Sequence, residues 1–379
     1  MSKIPFFSVL IPTKGRSHLV GYAIQSVLDQ SFDDIEIVLV DNDDEEATKE
    51  AVQKFSDPRL RYFRSGGLNM SENWECALNH ASGRFITVLE DKQTYYPWAL
   101  KKLHDVIIEV NTDVVVWEWD TYHDQEGVAS RKHHSGSVGI MSADEILDMY
   151  TNKVATAGRY MPRMLNSCAS SEAIHKIKKH QNIERMFAEH SPDLCAAFYL
   201  LASIDTICFI NDGLGLVGYT NLSNAVLNTV NGAEGEKYYG KSITLDYVPI
   251  KSTRLTYNTV YNDFLRIRRR VEGRLSSYVM SPLTYASMCL WDVSRMYFHG
   301  AGIGSTANEV RLIMRYLKAE KVGFYCYFKI LLVVLPMMRQ MLTKKTGSYF
   351  KYKWKAKNIL NAAKQADSTL NIKLKMMHK

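Results

Sequence analysis

Three polar clusters stand directly after apolar runs in the first part of the chain. Pro12, Thr13 and Arg16 follow Phe6–Ile11, Asp41 and Asp43 follow Ile35–Val40, and Glu90, Asp91 and Lys92 follow Phe85–Leu89. Carboxylates accept hydrogen bonds from N–H groups, and charge-assisted bonds are strong. Read alone, Asp41–Asp44 is equally a polar strand-end turn that caps the next helix, and Arg16 either steers a phosphate or is a surface charge. A further carboxylate, Asp193, follows Ser191-Pro192 in the first turn of an apolar helical run, where it complements the helix dipole. The six cysteines form no CxxC pair, which argues against a zinc knuckle and for reduced thiols. His133 and His134, beside Arg131 and Lys132, lie in an acceptor or lid loop and lack partners at metal-ligand spacing, so no metal is expected there.

Each cluster needs a strand to carry it. Continuous apolar runs predict buried strands at Phe6–Thr13 and Ile35–Asp41, and further strands are expected at Leu60–Arg64 (short), Arg84–Glu90 and Asp113–Trp119. Helical periodicity fills the gaps at His18–Ser31, Glu45–Phe55, Ser71–His80 and Pro97–Val110. The alternation predicts an α/β fold, a mostly parallel sheet with helices on both faces. Right-handed crossovers place Pro12, Asp41 and Glu90–Lys92 along one sheet edge. Ligands of open α/β sheets bind outside the carboxyl ends of the strands.

Beyond residue 120 the pattern is less regular. Tyr122–Gly139 reads as a polar hairpin or loop, Ser142–Tyr150 as a helix, and Cys168–Ile177 as a strand in its first half. Ser191–Ala202 reads as a helix capped by Ser191, Asp205–Asn211 as a strand, and Asp212–Gly218 as a glycine-punctuated turn with a short strand. From about residue 250 the chain is expected to be mainly helical.

Composition sets the wider frame. With 379 residues, 46% hydrophobic and 23% charged, the chain can bury a large core without staples. The net charge of +7 gathers at Arg266–Arg270 and from Lys344 onward, so the basicity belongs to the tail and not to a substrate cleft. Val322–Met338 is shorter than the roughly 20 apolar residues of a spanning helix. Arg339–Leu360 interleaves lysine with aromatics, as a segment at an anionic membrane surface does; the alternative is a helical cap on the rest of the chain. The run Phe6–Ile11 is short and is followed by Lys14 and Arg16, unlike a signal peptide. The expected location is cytoplasmic, or peripheral at the inner face of the cell membrane.

Four segments together resemble family 2 glycosyltransferases of the GT-A fold. They are SVLIPTKGR (Ser8–Arg16), IVLVDNDDEE (Ile37–Glu46), the block Asn73–Leu100, and the block His190–Gly218. The resemblance implies a catalytic domain over 1–230, with 1–120 binding a nucleotide sugar and 121–230 holding acceptor and catalytic parts. Residues 231–379 would form a mainly helical extension. It implies that Pro12, Thr13 and the loop to Arg16 border the nucleotide. Asp41 would accept from the base, usually a uracil N–H, and Asp43 would lie near ribose or base. Asp193 would be the general base of an inverting transfer, with Glu189 and His190 shaping the acceptor pocket or serving instead. Asn73, Trp74, Trp98, Asn221, Ser223 and Asn224 are weaker candidates.

The chain departs from the family at its acidic motif, where Glu90, Asp91, Lys92 and Gln93 stand. Lys92 takes the place of the metal-binding aspartate, and an ammonium cannot ligate magnesium or manganese. Three readings follow: Lys92 partly replaces the metal beside the diphosphate, the site is degraded and weak, or Asp91 keeps a metal in altered geometry. The expected donor is a UDP-sugar, and the expected acceptor a glycan or lipid-linked oligosaccharide. A homo-oligomer stays open. A catalytically silent nucleotide-sugar binder is the main alternative. PTKGRS (Pro12–Ser17) is no phosphate-binding glycine loop, which disfavours a nucleotidyltransferase. A nucleic-acid partner is not expected, since only net charge speaks for one.

Overall fold

A computed structural model describes residues 3–152, 158–219, 244–298, 303–322 and 352–366. The strands β1 (Phe7–Thr13) and β2 (Ile35–Asp41) are buried along their whole length. They pair in parallel with Thr13 opposite Asp41. β3 (Leu60–Arg64) adds in parallel to β2, and β4 (Phe85–Val88) to the other side of β1. The order β3-β2-β1-β4 sets three strand ends side by side at one edge. Beyond β4 the sheet becomes mixed. β9 (Ser167–Ser170) runs antiparallel between β4 and β6 (Val114–His123), and β7 (Val128–Arg131) returns antiparallel along β6.

Alternate side chains of the central strands point to opposite faces, and helices cover both. On one face Val9, Ile11 and Ile37 meet α1 (Ser17–Leu28), α2 (Ala47–Val52) and α4 (Ala99–Val110). On the other, Leu10, Val38 and Val88 meet α3 (Met70–Asn79), α5 (Ala143–Asn152) and α7 (Pro192–Ser203). α6 (Ser171–His180) packs beside them. The apolar layer continues into the C-terminal helices α8 (Thr256–Arg270), α9 (Pro282–Phe298) and α10 (Ile303–Ala319). α3 starts with a reciprocal cap: Glu72 N–H donates to Asn69 Oδ1 at 2.9 Å, and Asn69 N–H to Glu72 Oε2 at 3.1 Å.

Two local expectations are corrected. Asp212–Gly218 is no turn but the second half of one long strand, β10 (Thr206–Tyr219). Its glycines serve close approach: a Cβ on Gly215 would lie 2.1 Å from Thr94 O, and one on Gly213 2.3 Å from Asp120 Oδ2. The stretch Tyr122–Gly139, expected as a polar hairpin or loop, holds the antiparallel hairpin of β6 and β7 and runs into β8 (Val138–Ser142), which pairs with β10. Ser191 occupies the N-cap position of α7, but its side chain makes no capping bond. The short β5 (Gln93–Tyr95), too brief to show a period, also pairs with β10.

The C-terminal residues that are described join the same body. β11 (Tyr352–Lys355) pairs with β7, and the helical residues 359–366 lay Ile359, Ala362, Ala363 and Ala366 against Tyr96, Tyr122 and Leu216. No described helix is long and apolar enough to cross a membrane. Residues 323–338, most of the tail segment 339–360, the expected boundary at 230, and Asn221, Ser223 and Asn224 lie outside the described residues.

Asp292 of α9 is 2% exposed; it accepts from the Tyr257 N–H at 2.6 Å and lies 3.6 Å from Arg295. Burial pushes its carboxyl up from 3.8 to about 7. The folded chain therefore holds a proton that the unfolded chain has released, so stability is lost as pH rises from about 4 to about 7. Asp292→Asn is expected to flatten that part of the stability–pH curve in urea titrations; an unchanged slope would refute the assignment.

Candidate active site

The loop after β1 and the turn after β4 are tied by one buried carboxylate. Asp91 accepts from Thr13 Oγ1 at 3.0 Å and from Arg16 Nη1 at 2.9 Å. Its side chain is 4% exposed, and that of Arg16 11%. Burial raises the Asp91 pKa, against the pull of the Arg16 charge. The turn itself is clipped shut, since Gln93 N–H donates to Glu90 O and Gln93 Oε1 accepts from Glu90 N–H, both at 2.8 Å. Lys92 is carried at this turn. Its ammonium lies 3.3 Å from Glu90 Oε2, and its carbonyl accepts from Gly218 N–H at 2.8 Å. A Cβ on Gly218 would sit 2.9 Å from that carbonyl, so β10 and the Lys92 turn touch backbone to backbone.

The two remaining candidate carboxylates spend their oxygens inside the protein. Asp41 is fully buried and accepts from Tyr62 OH at 2.8 Å and from Asp43 N–H at 2.9 Å. Burial raises its pKa. Asp43 accepts from Thr48 Oγ1 at 2.6 Å and from Gly15 N–H, so it joins the loops after β1 and β2. The residue that faces the cleft at this strand end is Asn42, which the sequence reading passed over. Its carboxamide holds the backbone of Leu68 by two bonds, Nδ2 to Leu68 O at 2.6 Å and Leu68 N–H to Oδ1 at 2.9 Å. Asn between two aspartates carried no signal of its own; only the fold shows which of them faces inward.

A cleft of about 50 Å³ lies between these loops, with Pro12, Thr13, Arg16, Asn42, Glu90 and Asp91 in its walls. Leu68 and Met70 close it from the α3 side. Met70 also borders a far larger polar cleft of about 840 Å³, lined by Ser71, Glu184, Arg185, His190, Tyr199 and Arg270 among others.

Asp193 stands in the first turn of α7 and is half-buried. Burial raises its pKa most, Arg163 lowers it, and the charge of Glu90 raises it further. The Glu90 charge thus acts on Asp193, although Asp193 lines neither of the two clefts. Other candidates go elsewhere. Trp74 packs edge-on to Phe187 in the core at 5.3 Å, while also bordering the small cleft. Asn73 accepts from Ser65 Oγ at 2.9 Å, and Trp98 stacks on Tyr96. His134 is no lid residue: it is buried, 2.9 Å from Asp120 Oδ1.

The turn after β4 does not fit a divalent cation. Asp91 is committed to Thr13 and Arg16, and the Lys92 ammonium occupies the neighbourhood of Glu90. Among the described residues one group of possible ligands, Glu189, His190 and Asp263, brings its atoms within 4.8 Å. Arg266 and Arg270 already neutralise Glu189 there.

Residues 8–166 match the profile of Glycosyl transferase family 2. This segment belongs to that family. Among curated relatives, a GalNAc(5)-diNAcBac-PP-undecaprenol beta-1,3-glucosyltransferase of Campylobacter jejuni is 35% identical over 104 residues, 26% of this chain and 34% of its own length. The Escherichia coli UDP-Glc:alpha-D-GlcNAc-diphosphoundecaprenol beta-1,3-glucosyltransferase WfgD is 31% identical over 99 residues, 25% of this chain and 37% of its own. The chain thus spans about a third of the length of these relatives. Among solved structures, S. aureus TarS 1–349 in complex with UDP has a TM-score of 0.46 at 14% identity, covering 83% of this chain and 91% of that one.

Asp91→Ala would leave the Arg16 guanidinium and the Thr13 hydroxyl without this partner in a buried place. The expected loss of stability is about 3–5 kcal/mol, read by denaturant unfolding, with Asp91→Asn losing less. An Asp91→Ala protein as stable as wild type would refute the tie.

Proposed function

We propose that the chain is an inverting glycosyltransferase that moves a sugar from a nucleotide diphosphate sugar, UDP-linked by first choice, to a hydroxyl of a glycan or lipid-linked acceptor. The observation that carries this reading is the Asp91 tie and the Lys92 turn at one edge of the sheet in the segment that matches family 2, with Asp193 near enough to feel the Glu90 charge. The two relatives, both glucosyltransferases named for undecaprenol-linked glycans, support the acceptor class.

In this mechanism Pro12, Thr13 and Arg16 border the nucleotide, and Glu90 with Asp91 sets the turn that presents Lys92. Asp41 and Asp43 act by shaping the loops, and Asn42 is the polar side chain turned toward the donor. The Lys92 ammonium neutralises the leaving diphosphate in place of a metal, stabilising charge where it develops. Asp193 takes the proton of the acceptor hydroxyl while that oxygen bonds to the anomeric carbon. The bond from that carbon to the diphosphate oxygen breaks, and its electron pair leaves with the nucleotide. A carboxylate whose pKa burial has raised is a better matched base than an exposed one. The large cleft beside Met70 has the polarity and size for a glycan. The small cleft is too tight for a nucleotide, so donor entry requires Leu68 to swing away. Gly66 and Gly67, both at positive φ with open space at their Cβ positions, form the hinge.

The Lys92–Glu90 ion pair favours a second reading, a nucleotide-sugar binder without turnover. Calorimetry with a panel that includes UDP-glucose separates the two, in EDTA and in manganese. A donor bound in EDTA by wild type and lost in Lys92→Ala is the expected result. Binding that needs manganese and ignores Lys92 overturns the metal-free mechanism. Asp193→Asn is expected to lower turnover roughly 100- to 10,000-fold with donor affinity kept. Binding without turnover in wild type would leave the second reading.

A further inference from the structure

The three residues that lead into α7 are held by another helix. Asp263, Arg266 and Arg270 lie at i, i+3 and i+7 of α8, hence on one face. Asp263, fully buried, accepts from the Ser191 N–H at 3.0 Å and lies 3.3 Å from His190 Nδ1. Arg266 and Arg270 both bind the Glu189 carboxylate, the latter at 2.6 Å. From the other side, Ser71 Oγ of α3 donates to the Glu189 carbonyl. Glu189 itself sits at φ 60, a left-handed conformation that a residue with a Cβ pays for and keeps only when its surroundings impose it.

The Ser191 N–H at the start of α7 finds its acceptor in Asp263, seventy-two residues further along the chain, and the Ser191 side chain makes no capping bond. A carboxylate at that end also complements the α7 dipole. Asp193 comes two residues after the residue so held. Its place at the start of α7 is therefore set by α8 as much as by α7.

We propose that the α8 stripe Asp263–Arg266–Arg270 is a positioning clamp for the catalytic base, with Asp263 as its key residue. This rests on the reading of Asp193 as base. The clamp lies beyond residues 8–166, so the C-terminal helices are part of the catalytic machinery and not a detachable cap. Asp263 reaches the reaction only through the backbone of residues 190–191, which makes it a positioning residue.

The test uses the full chain and UDP-glucose as probe, with UDP release to water as the turnover signal and calorimetry for donor affinity. Asp263→Ala is expected to lower kcat about 10- to 100-fold, the effect of a small misplacement of a reacting group. KM and donor Kd should stay within about twofold, since the donor loops are untouched. Asp263→Asn retains an oxygen for the Ser191 N–H and should restore most of kcat; it also serves if the alanine variant fails to fold. A kcat that survives Asp263→Ala while Asp193→Asn abolishes it overturns the clamp and leaves the base. Equal losses of kcat and donor affinity in both Asp263 variants overturn it in favour of a purely structural role. Turnover that survives Asp193→Asn overturns the base itself, and the clamp with it.

Discussion

The ionised form of a carboxylate buried as deeply as Asp91 is costly unless charge and hydrogen bonds replace the water it has lost. Arg16 and Thr13 supply both, and they come from the end of the neighbouring strand, β1. The geometry of that edge follows from this one requirement. The loop after β1 must come down on the turn after β4, the turn must close through Gln93, and Lys92 must then project beside Glu90. β10 can seal the turn from outside only because Gly218 lets two backbones meet. Asp41 and Asp43 repeat the pattern one strand over, where a buried carboxylate orders a loop instead of facing a ligand.

Much of this was legible in the residues. The first two strands were readable nearly to their ends because each is an apolar run buried on both faces, and burial on both faces leaves no alternation to misread. The helices between them showed their period. What failed to show was set by distant contacts. Gly213, Gly215 and Gly218 look like turn residues until Asp120, Thr94 and Lys92 are seen to press against them. Ser191 looks like a cap, yet its side chain makes no capping bond and its own N–H is held by the distant Asp263. The division of labour among Asp41, Asn42 and Asp43 depends on which way a strand end points, and three polar residues in a row do not encode that.

Two polar assemblies thus serve one site by different means. The Asp91 tie is internal to the family 2 segment and couples its first and fourth strands. The Glu189–Asp263 assembly is made between that segment's sequel and the C-terminal helices, across more than seventy positions of sequence. Such long-range pairs close late in folding, because the loop entropy must be met before the contact forms. The Asp91 tie is as long-range, with 75 positions between Arg16 and Asp91 against 72 between Ser191 and Asp263, so the two assemblies differ only in that the second needs the C-terminal helices to dock.

The pairing of β11 with β7 has a consequence for any shortened form of the chain. A polypeptide ending before Tyr352 would bare the outer backbone edge of β7 and uncover Tyr96, Tyr122 and Leu216 at once. An open strand edge beside exposed aromatic surface is a template for intermolecular association. Trimming the basic tail to improve solubility would thus promote aggregation, because this short terminal strand protects the sheet from self-assembly.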